Sequence, residues 1–122
     1  MAITGAHVLL YSSEPERLRE VLRDVFAFPH VDIGRGWMIF AAPPAELAVH
    51  PADDDIGDAT GRHQLTFMCD DVVATMIDLQ RKGIVIEGDP QEERWGIHVT
   101  LVLPGGVRVM LYQPKHPTAI DL

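Results

Sequence analysis

HVLLYSSEPERLREVLRDVFAFP, from His7 to Pro29, reads as strand, turn and helix. Val, Leu and Tyr in its opening run suit a half-buried strand, expected over residues 3–12. Ser13 with Glu16 three residues on reads as a capping box, and Pro15 falls in the first turn, where its missing N–H does no harm. Leu18, Val21, Leu22, Val25 and Phe26 then recur at steps of three and four. They form one apolar stripe that must pack on a sheet, and Pro29 forbids continuation of the helix. Half a chain later the order returns. Residues 62–69 read as a strand and Asp70 or Asp71 as its cap; Val72, Val73, Met76, Ile77 and Leu79 form a second stripe, with Gly83 at the C-cap.

Each copy is followed by short apolar runs closing on a proline, AELAVHP (Ala45 to Pro51) and VMLYQP (Val109 to Pro114). Working outward, residues 31–32, 37–42 and 46–50 are expected as strands of the first unit, punctuated by Gly34-Arg35-Gly36 and Pro43-Pro44. Residues 84–87, 97–103 and 107–113 are expected in the second, with Pro104-Gly105-Gly106 as its last hairpin turn. The fold class is α+β: two βαβββ modules pairing around a concave mixed sheet, with the helices outside. The first module takes about residues 1–52, a linker 53–61, the second about 62–114 and a tail 115–122. Two helices cannot cover both faces of eight strands, so an inner face is left for a ligand or a partner. Any site the modules share lies between them.

At 122 residues the chain is one domain, long enough to remove roughly two-thirds of its unfolded surface from water. Its formal net charge of −8 repels phosphate backbones and anionic lipid, which argues against nucleic acid and membrane partners. The acidic run after Ala52 reads as a solvated loop. Cys69 is the sole cysteine, so no internal disulfide forms; inside an apolar run it reads as a small buried hydrophobe. The N-terminus lacks a signal-peptide pattern and no apolar run reaches the length of a membrane span, so a cytoplasmic protein is expected.

The stretches His7 to Pro29, MCDDVVATMIDLQRKGI (Met68 to Ile84) and ERWGIHVTLVLPGGVRVMLYQP (Glu93 to Pro114) together resemble the vicinal oxygen chelate superfamily, which contains glyoxalase I, ring-cleaving dioxygenases and bleomycin resistance proteins. The resemblance covers nearly the whole chain. It implies paired βαβββ modules and, in metal-dependent members, four inward ligands, one from the first and one from the fourth strand of each module. His7 falls on the first of these positions and Glu46 on the second. The third falls on Gln64 by strand parity, or on His63 by the residue type customary there. The fourth, where a glutamate is usual, is Met110, whose thioether replaces a carboxylate neither as hard-metal ligand nor as base. Glyoxalase I chemistry is therefore not expected. With His63 turned inward, His7, Glu46 and His63 form a two-histidine, one-carboxylate set suited to Fe(II), or to Zn, Ni or Mn.

Parity also turns His98 inward, as general base or as ligand-orienting donor. Tyr11, Trp37, Gln64, Trp95, His98, Arg108, Met110 and Tyr112 make up the expected lining for an organic ligand, although Trp37 and Trp95 serve equally to close a core or a dimer interface. Two readings follow. In one, the chain binds a small organic molecule in the sheet cavity, its metal site degraded. In the other, it is a metal-dependent lyase, isomerase or dioxygenase using His7, Glu46 and His63. A regulatory or structural dimer without ligand is a third, weaker one. In each, a homodimer is expected, because the resemblance implies strand edges buried between copies.

Overall fold

Strand length separates the two halves. Residues 96–114 are rich in β-branched residues and leucine with only one turn between them, and they extend into two eight-residue strands, with residues 85–92 adding a third at the edge, where Gly88 and Pro90 are tolerated. The first half is cut by Pro29, Pro43 and Pro44, which cannot donate to a ladder, and keeps one three-residue pair. The computed structural model describes residue 2 and residues 5–54 and 57–122.

The elements run α1 (Pro15–Asp24), β1 (His30–Asp32), β2 (Met38–Phe40), β3 (Asp53–Asp54), β4 (Gly57–Asp58), β5 (Thr66–Met68), α2 (Val72–Arg81), β6 (Val85–Glu92), β7 (Gly96–Leu103) and β8 (Val107–Pro114). The second half is a complete βαβββ unit. Its sheet has the order β5-β8-β7-β6, with β5 parallel to β8 and the remaining pairs antiparallel. The mixed sheet and two helices make the α+β class expected from the sequence. In the first half β1 pairs with β2 alone, closed by a turn in which Arg35 and Gly36 both take positive φ. β3 and β4 form a two-residue ladder inside the expected linker, which is therefore not wholly irregular.

The strand expected over residues 3–12 does not form in residues 5–12, and residues 3 and 4 lie outside the described residues; none forms over 46–50 either. The reason lies with α1. Its stripe is spent on the second half: Leu18 joins Val72, Leu79, Ile84, Val99, Leu101, Leu103, Val109 and Leu111 in one buried cluster, with Val21, Leu22, Val25 and Phe26 packed against it. Phe26 and Phe28 also lie 5.6 and 5.7 Å from Phe67 of β5. Leu47 and Val49, expected to face this helix, are instead 96% exposed.

The helix start is also displaced. Glu14 is the N-cap and makes no side-chain capping bond, so the Ser13–Glu16 box does not form. Ser13 N–H donates to Gly105 O, Ser12 Oγ–H to Pro104 O, and Gly105 N–H to a Glu14 carboxylate oxygen. Both serines are thus committed to the β7–β8 turn. Gly105 has φ +83, and a Cβ there would meet Ser12 Oγ and the Glu14 nitrogen, so only glycine admits this approach. α2 by contrast is capped as its sequence indicates, Asp71 accepting from Ala74 N–H at 3.0 Å.

Odd-numbered side chains of β7 and β8 enter the core, and Leu65, Phe67 and Cys69 pack against it. Burial pushes the Cys69 thiol up, in keeping with a hydrophobe's role. The even-numbered side chains form the opposite face. On the outer edge, β6 carries an irregularity between Glu87 and Gln91, where Gly88, Asp89 and Pro90 stand opposite Val99. No described helix is long and apolar enough to cross a membrane.

Candidate functional site

Register assembles the open face row by row. Met68, Tyr112, His98 and Gln91 are successive partners across β5, β8, β7 and β6, and Thr66, Met110, Thr100 and Glu87 form the next row. Because strand side chains alternate, both rows point away from the helices. The turn before β7 adds Trp95, whose ring stacks on His98 at 5.1 Å and 16° and meets Tyr112 edge-on at 5.6 Å. Lys115 N–H donates to Trp95 O and pins the tail beside this aromatic group.

Polar groups ring the aromatics. His98 Nε2 lies 3.5 Å from Glu93 Oε1, and since a carboxylate only accepts, this nitrogen carries the hydrogen. Tyr112 Oη lies 3.1 Å from His116 Nε2, and His116 Nδ1 lies 2.8 Å from Pro117 O. The carbonyl accepts from Nδ1–H, so in the neutral ring Nε2 accepts the phenol's hydrogen. Glu46 enters from the first half: Oε2 accepts from Ala119 N–H at 2.8 Å and Oε1 stands 4.0 Å from His116 Nε2. Burial first, then the Glu46 charge, raises Tyr112 above the ordinary phenol range and keeps it a donor.

The other charges nearby are matched. Arg108 pairs with Glu87 at 2.9 Å, and Lys115 with Glu92, whose carboxyl is lowered by that hydrogen bond. A shallow cleft of about 400 Å³, lined by Met68, Cys69, Gln113, Pro114, Thr118 and Ile120, adjoins the site along the tail.

Of the residues expected from sequence, Trp95, His98, Met110 and Tyr112 share this face. Arg108 lies at its margin, exposed and paired. Tyr11 is 87% exposed, and Gln64 is exposed just before β5. Trp37 occupies the β1–β2 turn, matching Trp95 in the β6–β7 turn, but its ring lies under the Arg19 guanidinium at 4.5 Å. Glu93 and His116 were not foreseen. His116 stands four residues beyond Tyr112, outside any periodic segment, and Glu93 lies in a turn; a histidine and a carboxylate flanking a strand pair were the only signals available.

A divalent ion requires three or four His or carboxylate donors converging on one point. His7 and His63 are exposed, while Glu46 is engaged with Ala119 N–H beside His116. Among the described residues no three His, Cys, Asp or Glu side chains gather in a metal-holding group. The His7, Glu46 and His63 set does not fit an ion in this arrangement.

Solved structures with similar coordinates were found. One is TnmS3, an antibiotic binding protein from a Streptomyces species, with a TM-score of 0.66 and 22% identity over 94% of this chain and 99% of that one. Another is a lactoylglutathione lyase from Agrobacterium tumefaciens, with a TM-score of 0.62 and 18% identity over 93% and 96%. A third is a member of the glyoxalase/bleomycin resistance protein/dioxygenase superfamily from Sphaerobacter thermophilus, with a TM-score of 0.57 and 12% identity over 93% and 99%. No family model matches the sequence, and no curated protein matches it.

Proposed function

The chain has the fold of the glyoxalase/bleomycin resistance/dioxygenase superfamily, and on that scaffold we propose that it binds a small, flat organic molecule on the open sheet face. The observation that carries the reading is the Trp95, His98 and Tyr112 group: the Trp95 ring in contact with each of the other two, on the face that neither helix covers. Such a surface gains free energy by stacking on an unsaturated ligand, on the order of 0.5–1.5 kcal/mol per ring pair beyond the area buried. Around it, the Tyr112 hydroxyl, His98, His116 and the Glu46 carboxylate supply the few directional groups that orient a ligand. The cleft of about 400 Å³ beside Met68 is of the size such ligands fill. One neighbour of this fold is described as an antibiotic binding protein, which supports binding without turnover as the role.

Trp95 emission is the direct probe. Titration with a panel of aromatic and heteroaromatic compounds is expected to quench or shift it saturably, in wild type and in a Trp37→Phe variant alike. Trp95→Phe is expected to lose the signal, and Tyr112→Ala to weaken binding about tenfold or more, as for removal of roughly 1.4 kcal/mol. A panel that leaves Trp95 emission unchanged throughout overturns the reading.

A further inference from the structure

The aromatic group is bordered by more acceptors than it has strong donors to fill. His98 gives its ring hydrogen to Glu93, the Tyr112 hydroxyl donates to His116 Nε2, and His116 Nδ1–H donates to Pro117 O. Both nearby cations are engaged as well, Arg108 with Glu87 and Lys115 with Glu92. The donors that remain on this face are neutral hydroxyl, amide and indole groups. Among the described residues, neither of the other two carboxylates, Glu46 and Glu93, meets a Lys or Arg. They stand at opposite ends of one run of rings, Glu93 at His98 and Glu46 at His116, with Trp95 and Tyr112 between. Of the two, Glu46 is the more sheltered, its side chain 20% exposed against 46% for Glu93. Its Oε2 accepts from Ala119 N–H. Oε1 accepts from no described group and lies 4.0 Å from His116 Nε2, which carries no hydrogen while it accepts from Tyr112. A part-buried carboxylate oxygen without a donor is a place for a hydrogen that a ligand brings.

We propose that the molecule bound on this face carries an amino or amidino group, whose N–H donates to Glu46 Oε1 while its flat ring lies against Trp95 and Tyr112. The inference rests on the ligand reading and names the chemistry of that ligand. A charged nitrogen donating to a carboxylate makes a shorter and stronger bond than a neutral pair does. Partial burial of Glu46 spares that bond the screening that weakens ion pairs in open solvent. An anionic ligand meets the opposite situation. Its charge lies between Glu46 and Glu93 while Arg108 and Lys115 are already engaged, so no free cation offsets the repulsion. A ligand with acceptors alone finds only neutral donors. The spacing suits a two-ring molecule: Trp95 and Tyr112 are 5.6 Å apart between ring centres, and Tyr112 and His116, beside which Oε1 stands, 6.0 Å.

The test holds the ring constant and varies one substituent: quinoline, 4-aminoquinoline and quinoline-4-carboxylate are titrated into the full chain, with the Trp95 indole N–H cross-peak followed by nuclear magnetic resonance. 4-Aminoquinoline is expected to bind about tenfold or more tightly than quinoline, and the carboxylate more weakly than quinoline. In the wild type the Ala119 amide, which shares Glu46, is expected to shift with 4-aminoquinoline and to stay in place with quinoline. Glu46→Gln can still accept from Ala119 N–H through its amide oxygen, and in it the ratio of the two affinities is expected to fall towards one. Glu93→Gln is expected to keep that ratio within about threefold, because a contact and not the general field sets it. Equal binding of quinoline and 4-aminoquinoline, a ratio that survives in Glu46→Gln, or a ratio that falls as far in Glu93→Gln would each overturn the proposal while the ligand reading stands. A Trp95 cross-peak that none of the three compounds moves would overturn both.

Discussion

Residues 85–114 and residues 30–51 occupy corresponding places in the two repeats, and they differ in what each strand can lean on. In β7 and β8, Val99, Leu101, Leu103, Val109 and Leu111 are met by both helices and nearly excluded from solvent. In β1 and β2, Val31 is 60% exposed and Met38, Ile39 and Phe40 are half-buried, because α1 has crossed to the other unit's core. A single helix cannot cover two sheets. The repeat that secures both helices becomes a sheet, and the one that loses its helix keeps only a hairpin.

The sharpest way to break this contrast is to remove matched side chains from each region. Leu101→Ala, at a fully buried position, is expected to cost about 2–5 kcal/mol in urea unfolding, whereas Ile39→Ala in β2 costs about 1 kcal/mol or less. Equal costs would mean that the first half has a core of its own. Next in size is the joint between them. Gly105→Ala places a Cβ against Ser12 and Glu14 at a positive φ and is expected to cost about 2 kcal/mol, loosening α1 while the β6–β8 amides keep their protection from exchange. The helix caps sharpen the comparison further: Asp71→Ala is expected to lose about 1 kcal/mol, while Glu14→Ala, which removes no capping bond and only the exposed one from Gly105 N–H, loses less.

The smallest effect reports on Glu46, which ties residues 41–51 to the tail. In Glu46→Gln the negative charge beside Tyr112 is gone, so the phenol is expected to titrate at lower pH than in wild type, read by absorbance at the phenolate band in a Tyr11→Phe background. The sign for stability follows. A phenol raised above its ordinary 10.0 in the fold contributes stability that is complete below that value and is lost as pH rises through the raised one. Glu46→Gln is expected to flatten that alkaline loss.

How much of this could be read in the chain depends on the range of the forces involved. Strand parity placed His98, Met110 and Tyr112 on one face and Leu65, Phe67 and Cys69 on the other, because alternation is local and β5, β7 and β8 obey it. The Ser13–Glu16 capping box failed since Ser12 and Ser13 are claimed by a turn more than ninety residues away. The packing of α1 was likewise set at long range: its stripe was legible, its destination was not. The metal-type donors were read from a resemblance in order, and order places His7, Glu46 and His63 on strands without ensuring that those strands assemble. His116 and Glu93 lie in a tail and a turn, where no periodicity marks them.

The irregularity in β6 has a bearing on how this protein behaves when crowded. Gly88 at φ +77 and Pro90, which offers no amide hydrogen, interrupt the outermost ladder midway, and Glu87, Asp89 and Glu92 line it with carboxylates. An incoming chain finds no continuous row of donors there, and charged side chains rim the edge. Fibril growth by sheet extension is obstructed on that flank, so a concentrated solution is expected to remain clear rather than seed cross-β deposits from it.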